Sequence, residues 1–274
     1  MTRLAEYAGA RELTLNLTLR ELRGKYKRSV LGWTWSLLNP LSTVLIYSLV
    51  FSFFLKIQPP TGDPSGLHNF ALFLLCGLLA WNFLSSAMNE SMGSLVGNGN
   101  LIQKVYFPRE VLVVATVGAL LVSFLIELGV LVVILVAFGN MVLPWIPVLL
   151  LLVAIQTVFV LGIALVLSVL NVYFRDMKHL VGILLQAMFY TAPIIYPIRL
   201  VPDRAVVLGW DFALRDLYEL NPLVRLLSAY RDVLYNVRFP QLTDLAYISV
   251  WAAVSLGVGL WVFTRLEGRL AEEV

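Results

Sequence analysis

Six apolar stretches, separated by short polar punctuation, constrain this chain more than any other feature of its sequence. They cover residues 32–55, 69–88, 111–138, 145–170, 180–198 and 245–264, and each meets the roughly 20 residues a helix needs to cross the hydrocarbon core of a bilayer. The runs are continuous rather than alternating. That selects helices over a barrel, because a spanning helix satisfies its own backbone hydrogen bonds. Composition agrees: 59% hydrophobic and 14% charged residues, with a mean hydropathy of +0.84, would leave a water-soluble domain with too much apolar surface. The expected fold is an all-α integral membrane protein with six transmembrane helices and both termini on one side. No apolar region with a small-residue cleavage site precedes the first run, so that run is expected to act as its own insertion signal.

Charge sets the orientation. Residues 20–41, RELRGKYKRSVLGWTWSLLNPL, carry Arg23, Lys25, Lys27 and Arg28 directly ahead of Trp33 and Trp35. Basic residues collect on the cytoplasmic flank of a span and Trp at the headgroup level, which places this end inside. On a helical wheel Leu15, Leu19, Leu22 and Tyr26 share one face, with Arg20, Lys25, Lys27 and Arg28 around the rest, the pattern of a helix lying on the membrane surface. Three regions follow: a cytoplasmic amphipathic interface helix over 1–31, a six-span domain over 32–264 and a cytoplasmic tail over 265–274. With this orientation Lys104, Arg109, Arg175, Lys178, Arg265 and Arg269 fall inside, and the first two external loops carry only Lys56. The exception is the external segment 199–244, with Arg199, Arg204, Arg215, Arg225, Arg231 and Arg238 offset by Asp203, Asp211, Asp216, Glu219, Asp232 and Asp244. Within it, Asn221-Pro222 precedes Leu223, Leu226, Leu227, Tyr230, Val233 and Leu234 at helical spacing. That suits a short re-entrant or interfacial helix, since Arg225 and Arg231 argue against a seventh span.

Catalytic patterns are absent. The chain has no G-x-x-x-x-G-K-[ST] phosphate loop and no G-x-S-x-G elbow. His68 and His179 are expected on opposite sides of the membrane, which disfavours a metal centre. Cys76 is alone in an apolar run, which excludes an intramolecular disulfide. Glu127 is the anomaly, because an acid at mid-bilayer costs about 2.5–3.5 kcal/mol on insertion scales. It is either functional or a structural acid, protonated or hydrogen-bonded to another helix, with Gln156 a candidate partner.

The cytoplasmic loops are more specific. NESMGSLVGNGNLIQKVYFPREVL, between the second and third spans, predicts a short helix ending before Pro108. NVYFRDMKH, between the fourth and fifth, sets Arg175 beside Asp176 at the membrane edge. Five strings, KYKRSVLGWTWSLLNPL, LIQKVYFPREVL, NVYFRDMKHL, YTAPIIYP and NPLVRLLSAYRDVL, occur in order over nearly the whole chain. Together they resemble the permease subunit of type-2 ABC exporters, in the branch that exports O-antigen, teichoic acid, capsule and galactan polymers.

The resemblance implies a homodimeric, non-enzymatic permease in a bacterial plasma membrane, paired with two copies of a cytoplasmic ATPase that binds the ATP and magnesium. The chain itself would bind no cofactor, metal or nucleic acid. Its substrate would be a lipid-linked polysaccharide moved outward. The same resemblance makes the segment around Gly93 to Tyr106 a coupling helix, with Lys104, Tyr106, Arg109 and Glu110 as contacts to the ATPase and Arg175 and Asp176 as a second contact. Segment 199–244 then matches a gate of two short helices dipping in from outside. Aromatic faces for sugar C–H groups point to Tyr47, Phe51, Phe189, Tyr190 and Tyr196 along the path, and Pro193 and Pro197 break the fifth span beside them. An exporter of drugs or small lipids is the nearest alternative. A secondary transporter should show inverted repeats and several intramembrane acids, and neither is visible.

Overall fold

A computed structural model describes residues 3–25, 32, 34–54, 56, 60–207 and 210–270. Its helices are α1 (Arg3–Lys25), α2 (Thr34–Ser48), α3 (Phe70–Val96), α4 (Gly99–Lys104), α5 (Glu110–Ala137), α6 (Ile146–Tyr173), α7 (Met177–Thr191), α8 (Leu214–Glu219), α9 (Pro222–Arg231) and α10 (Leu242–Leu266). Two π-helical turns, Leu49–Phe54 and Asp232–Asn236, extend α2 and α9. The fold is helical as expected. Segment 199–244 adds a small antiparallel hairpin, β1 (Ala205–Val207) with β2 (Trp210–Phe212), in register Val206 to Asp211.

Among the described residues four helices, α3, α5, α6 and α10, are long and apolar enough to cross a membrane. The helix ends depart from the apolar runs for local reasons. The second apolar run ends at Met88, yet α3 continues to Val96, its polar side chains bonded backward onto their own helix. Asn89 Nδ2 donates to the Ser85 carbonyl at 2.9 Å, and Ser94 Oγ to that of Ser91 at 2.7 Å. Hydropathy marks where lipid ends, not where a helix ends. The fifth run predicts helix to residue 198, but α7 stops at Thr191, since Pro193 has no N–H to continue the ladder. Its 15 residues rise about 22 Å, less than the roughly 30 Å of the core.

α3 is the hub, packed by α2, α5, α6, α7 and α9. Over its most apolar window 78% of residues are buried, against 22% for α10, which lies at the edge against α6. That edge contact is a small-residue crossing: a Cβ at Gly162 would lie 2.2 Å from the Ser255 carbonyl carbon, and one at Gly259 2.4 Å from the Gly162 oxygen. Only glycine fits, so the backbones touch, and Ser255 Oγ closes the seam on the Phe159 carbonyl at 2.8 Å.

α1 packs along α5, with Thr18 Oγ1 in contact range of Gly118. The wheel placed Leu15, Leu19 and Leu22 on one face, and the structure divides them. Leu17 and Leu22 are buried, while Leu15 and Leu19 are exposed. Leu22 is covered on the face it shares with Leu15 and Leu19, and Leu17, on the other side of the helix, packs into the core. Arg23 is exposed; the Lys25 side chain, Tyr26, Lys27, Arg28 and Trp33 lie outside the described residues.

Candidate functional site

One end of the bundle gathers α4, the start of α5, the α6–α7 turn and the end of α10. Side chains lace these pieces together. Asn171 Nδ2 donates to the Met92 carbonyl at 2.7 Å, joining α6 to α3. Tyr173 Oη donates to that of Leu266 at 3.0 Å, joining α6 to α10. Arg109 Nη1 donates to the Glu267 carbonyl, and Arg20 Nη2 reaches Asn98 Oδ1 at 2.7 Å. Asn98 directly precedes α4 and also donates to the Ser94 carbonyl, so α1, α3 and α4 meet at one amide.

From this base α4 and the loop after it project the first of the predicted coupling residues. Ile102 and Phe107 are buried anchors; Lys104 is exposed, and Tyr106 is 93% exposed, the extreme among the described bulky apolar side chains. Arg175 and Asp176 are exposed on the same end, at the start of α7. Arg109 and Glu110 differ from these four. Both are half-buried, Arg109 tying two helices together and Glu110 in the first turn of α5, where a carboxylate complements the helix dipole.

The five predicted path aromatics come together in a seam between α2, α3 and α7. Tyr47 stacks on Phe189 at 6.2 Å between centroids and lies 6.0 Å from Phe51, and Phe189 meets Tyr190 at 5.3 Å. Tyr196 Oη donates to the Tyr190 carbonyl at 3.0 Å and pairs with Tyr218 Oη at 2.9 Å. Two members escaped the sequence reading: Phe70, 5.8 Å from Phe51, and Trp81, 5.9 Å from Phe189. Both sit on α3, and only the packing of α3 against α2 and α7 brings them to the seam.

At the opposite end lie the first long loop and α8 and α9. All six apolar positions predicted for segment 223–234 are buried. Tyr235 locks this element in place, its hydroxyl 2.9 Å from the Pro60 and Leu67 carbonyls and accepting the Asn69 N–H at 3.2 Å. Burial raises its phenol above the ordinary value, with the Asn69 bond opposing, so it is a neutral donor at physiological pH. Asn140 Nδ2 adds a bond to the Leu234 carbonyl at 2.8 Å.

Arg231 is the residue that sequence reasoning undervalued. It is 6% exposed and donates to the carbonyls of Pro193 at 2.5 Å and Ile194 at 2.6 Å, while its guanidinium lies 4.0 Å over the Phe73 ring. Gly77 leaves it room, since a Cβ there would stand 3.0 Å from Nη2. The backbone groups freed where the fifth apolar run breaks are thus satisfied by an arginine from α9. The available signal was an arginine between Tyr230 and Val233 on an otherwise buried helix.

Glu127 is half-buried on α5 beside a small cleft whose other walls include Pro40 of α2 and Leu75 of α3. Gln156 does not meet it there. That amide is fully buried in another part of α6 and donates to the Ala80 carbonyl at 2.7 Å. Among the described residues no group of three metal-ligating side chains occurs.

The fold defines a helical membrane bundle with an aromatic seam. The chain belongs to the ABC-2 type transporter family, whose sequence model matches residues 12–235. It is 32% identical over 271 residues to the O-antigen export system permease protein RfbA of Myxococcus xanthus, covering 99% of this chain and 97% of that one. The RfbA protein of the same description from Klebsiella pneumoniae is 30% identical over 264 residues, covering 95% and 94%. The polysialic acid transport protein KpsM of Escherichia coli is 26% identical over 264 residues, covering 93% of each.

Proposed function

We propose that this chain is the membrane subunit of an ATP-driven exporter that moves a lipid-linked polysaccharide from the cytoplasmic to the external face of a bacterial plasma membrane. The observation that carries the reading is its likeness, over nearly full length, to permeases named for O-antigen export. The aromatic seam supports it, since flat rings at about 6 Å spacing offer apolar faces to successive sugars.

The rest of the assembly follows from the same reading. Two copies pair with two ATPase subunits, which bind the ATP and magnesium. α2 with its π-helical turn and α7 complete six spans, and α8 and α9 form a gate entering from outside. The end bearing α4 is cytoplasmic, which puts Lys104, Arg109, Arg175 and Arg265 on the side where basic residues accumulate. Closure of the ATPase pair moves the spans through rigid contacts, with Lys104, Tyr106, Arg175 and Asp176 touching the partner and Arg109 and Glu110 stiffening their base. Arg23, Lys25, Lys27 and Arg28 of the interface region contact lipid headgroups and the ATPase.

Depleting the chain in its native cell should trap lipid-linked polymer on the cytoplasmic face and clear it from the surface. Normal surface polymer after depletion, measured by immunoblot of intact and lysed cells, would contradict the glycan assignment.

A further inference from the structure

A cavity of about 600 Å³ lies at the gate end, between the first long loop, α9 with its π-helical turn, and the start of α10. Its volume is that of a small-molecule site, and its chemistry is unlike the apolar bundle around it. We infer that it binds one or two sugar residues of the emerging polymer, an exit subsite on each protomer. The inference rests on the polysaccharide reading above and adds a specific place and ligand class to it.

Three observations carry it. The first is charge balance. Arg225 pairs with Asp244 at 2.8 Å and Arg238 with Asp232 at 2.7 Å, and Arg231 spends its guanidinium on backbone carbonyls. The carboxylates of Asp63 and Glu219 remain on the wall, so a phosphate or a polyanion meets no net positive field. A neutral polyhydroxyl ligand meets fixed donors and acceptors instead.

The second is the neutral polar lining. Ser228, Gln241 and Thr243 face the cavity from α9 and from the start of α10. Hydroxyls and a carboxamide both donate and accept, which matches sugar hydroxyls of either role. Phe73 and Tyr235, in edge contact at 5.6 Å, close the cavity's inner end beside them.

The third is position. Phe73 stands about one helical turn from Phe70, the seam's outer member, and Pro197 and Ile198 of the wall directly follow Tyr196. The cavity therefore abuts the gate end of the aromatic seam. A chain leaving the rings reaches hydrogen-bonding groups next, and a grip there opposes backsliding between ATP cycles.

Photocrosslinking in cells carrying the complete exporter tests this, with the cell's own polysaccharide labelled by tritiated glucose as the probe. p-Benzoylphenylalanine is placed at position 243 in the cavity, at 190 in the seam, and at 250 on the exposed face of α10. The expected result is polysaccharide label at 190 and 243 and none at 250. Label at 190 without label at 243 overturns the exit subsite and leaves the export reading standing. Phospholipid alone captured at 243 also overturns it, making the cavity a headgroup site. Polysaccharide label at neither 190 nor 243 removes both. As a second readout, Gln241→Leu with Thr243→Val should lower export about tenfold, near what two neutral hydrogen bonds contribute, at unchanged membrane level. Export equal to wild type counts against the subsite.

Discussion

Arg231→Leu should be among the most destabilising single substitutions in the chain. Two short hydrogen bonds, to the carbonyls of Pro193 and Ile194, disappear together with the contact over Phe73. A charged donor contributes about 1.5–3 kcal/mol per bond, and the carbonyls left behind are buried without partners, so the expected loss is on the order of 3–5 kcal/mol. Leucine cannot recover this by packing, because Gly77 opposite was shaped around a guanidinium. Arg231→Lys keeps the charge but not the planar fork that reaches two carbonyls at once, and should fall between. The measurement is thermal unfolding of detergent-purified protein, with a drop of roughly 10 °C for the leucine variant. An unchanged midpoint would show that the break after α7 is held by something other than Arg231.

The second large effect concerns the exposed loop at the other end. Tyr106→Ala with Lys104→Glu should leave folding intact, since Tyr106 is 93% exposed and Lys104 is exposed. An exposed tyrosine in a loop flanked by the buried anchors Ile102 and Phe107 is the kind of residue that carries interface energy, with losses of about 2 kcal/mol or more on truncation. Binding of the ATPase should weaken about 30-fold, and export should fall with it. Arg109→Ala should instead lower thermal stability, because its partner is the Glu267 carbonyl of the same chain. Co-purification of the ATPase separates the two cases. Wild-type ATPase binding by the double variant would move the docking surface elsewhere.

How much was legible in the sequence depended on which force decided each feature. The four long spans follow from transfer free energy, which hydropathy reads directly. The buried positions of α9 follow from helical period, and α4 ends at Lys104, ahead of Pro108, as proline sterics require. The five aromatics of the seam are visible in the sequence only as individuals. Their union through Phe70 and Trp81 is a property of packing, which no local pattern encodes. The burial of Leu22 but not of Leu15 and Leu19 has the same origin: a wheel shows that residues share a face, and only the neighbour decides which turns of that face are covered. Arg231 was weighed as a barrier to membrane insertion, when its partners, carbonyls 37 and 38 residues away, make it a structural tie. The Gln156 pairing failed because two polar residues on adjacent helices need not share a depth or a face.

The central claim is that this chain passes a lipid-linked glycan outward when a partner hydrolyses ATP. The direct measurement uses the co-purified permease and ATPase in proteoliposomes with the ATPase side outward, loaded in the outer leaflet with radiolabelled lipid-linked polysaccharide from the native host. On adding ATP and magnesium, label should become protected from an added glycosidase, and it should not do so with a non-hydrolysable ATP analogue. Continuous ATP hydrolysis with no gain in protection would contradict the account.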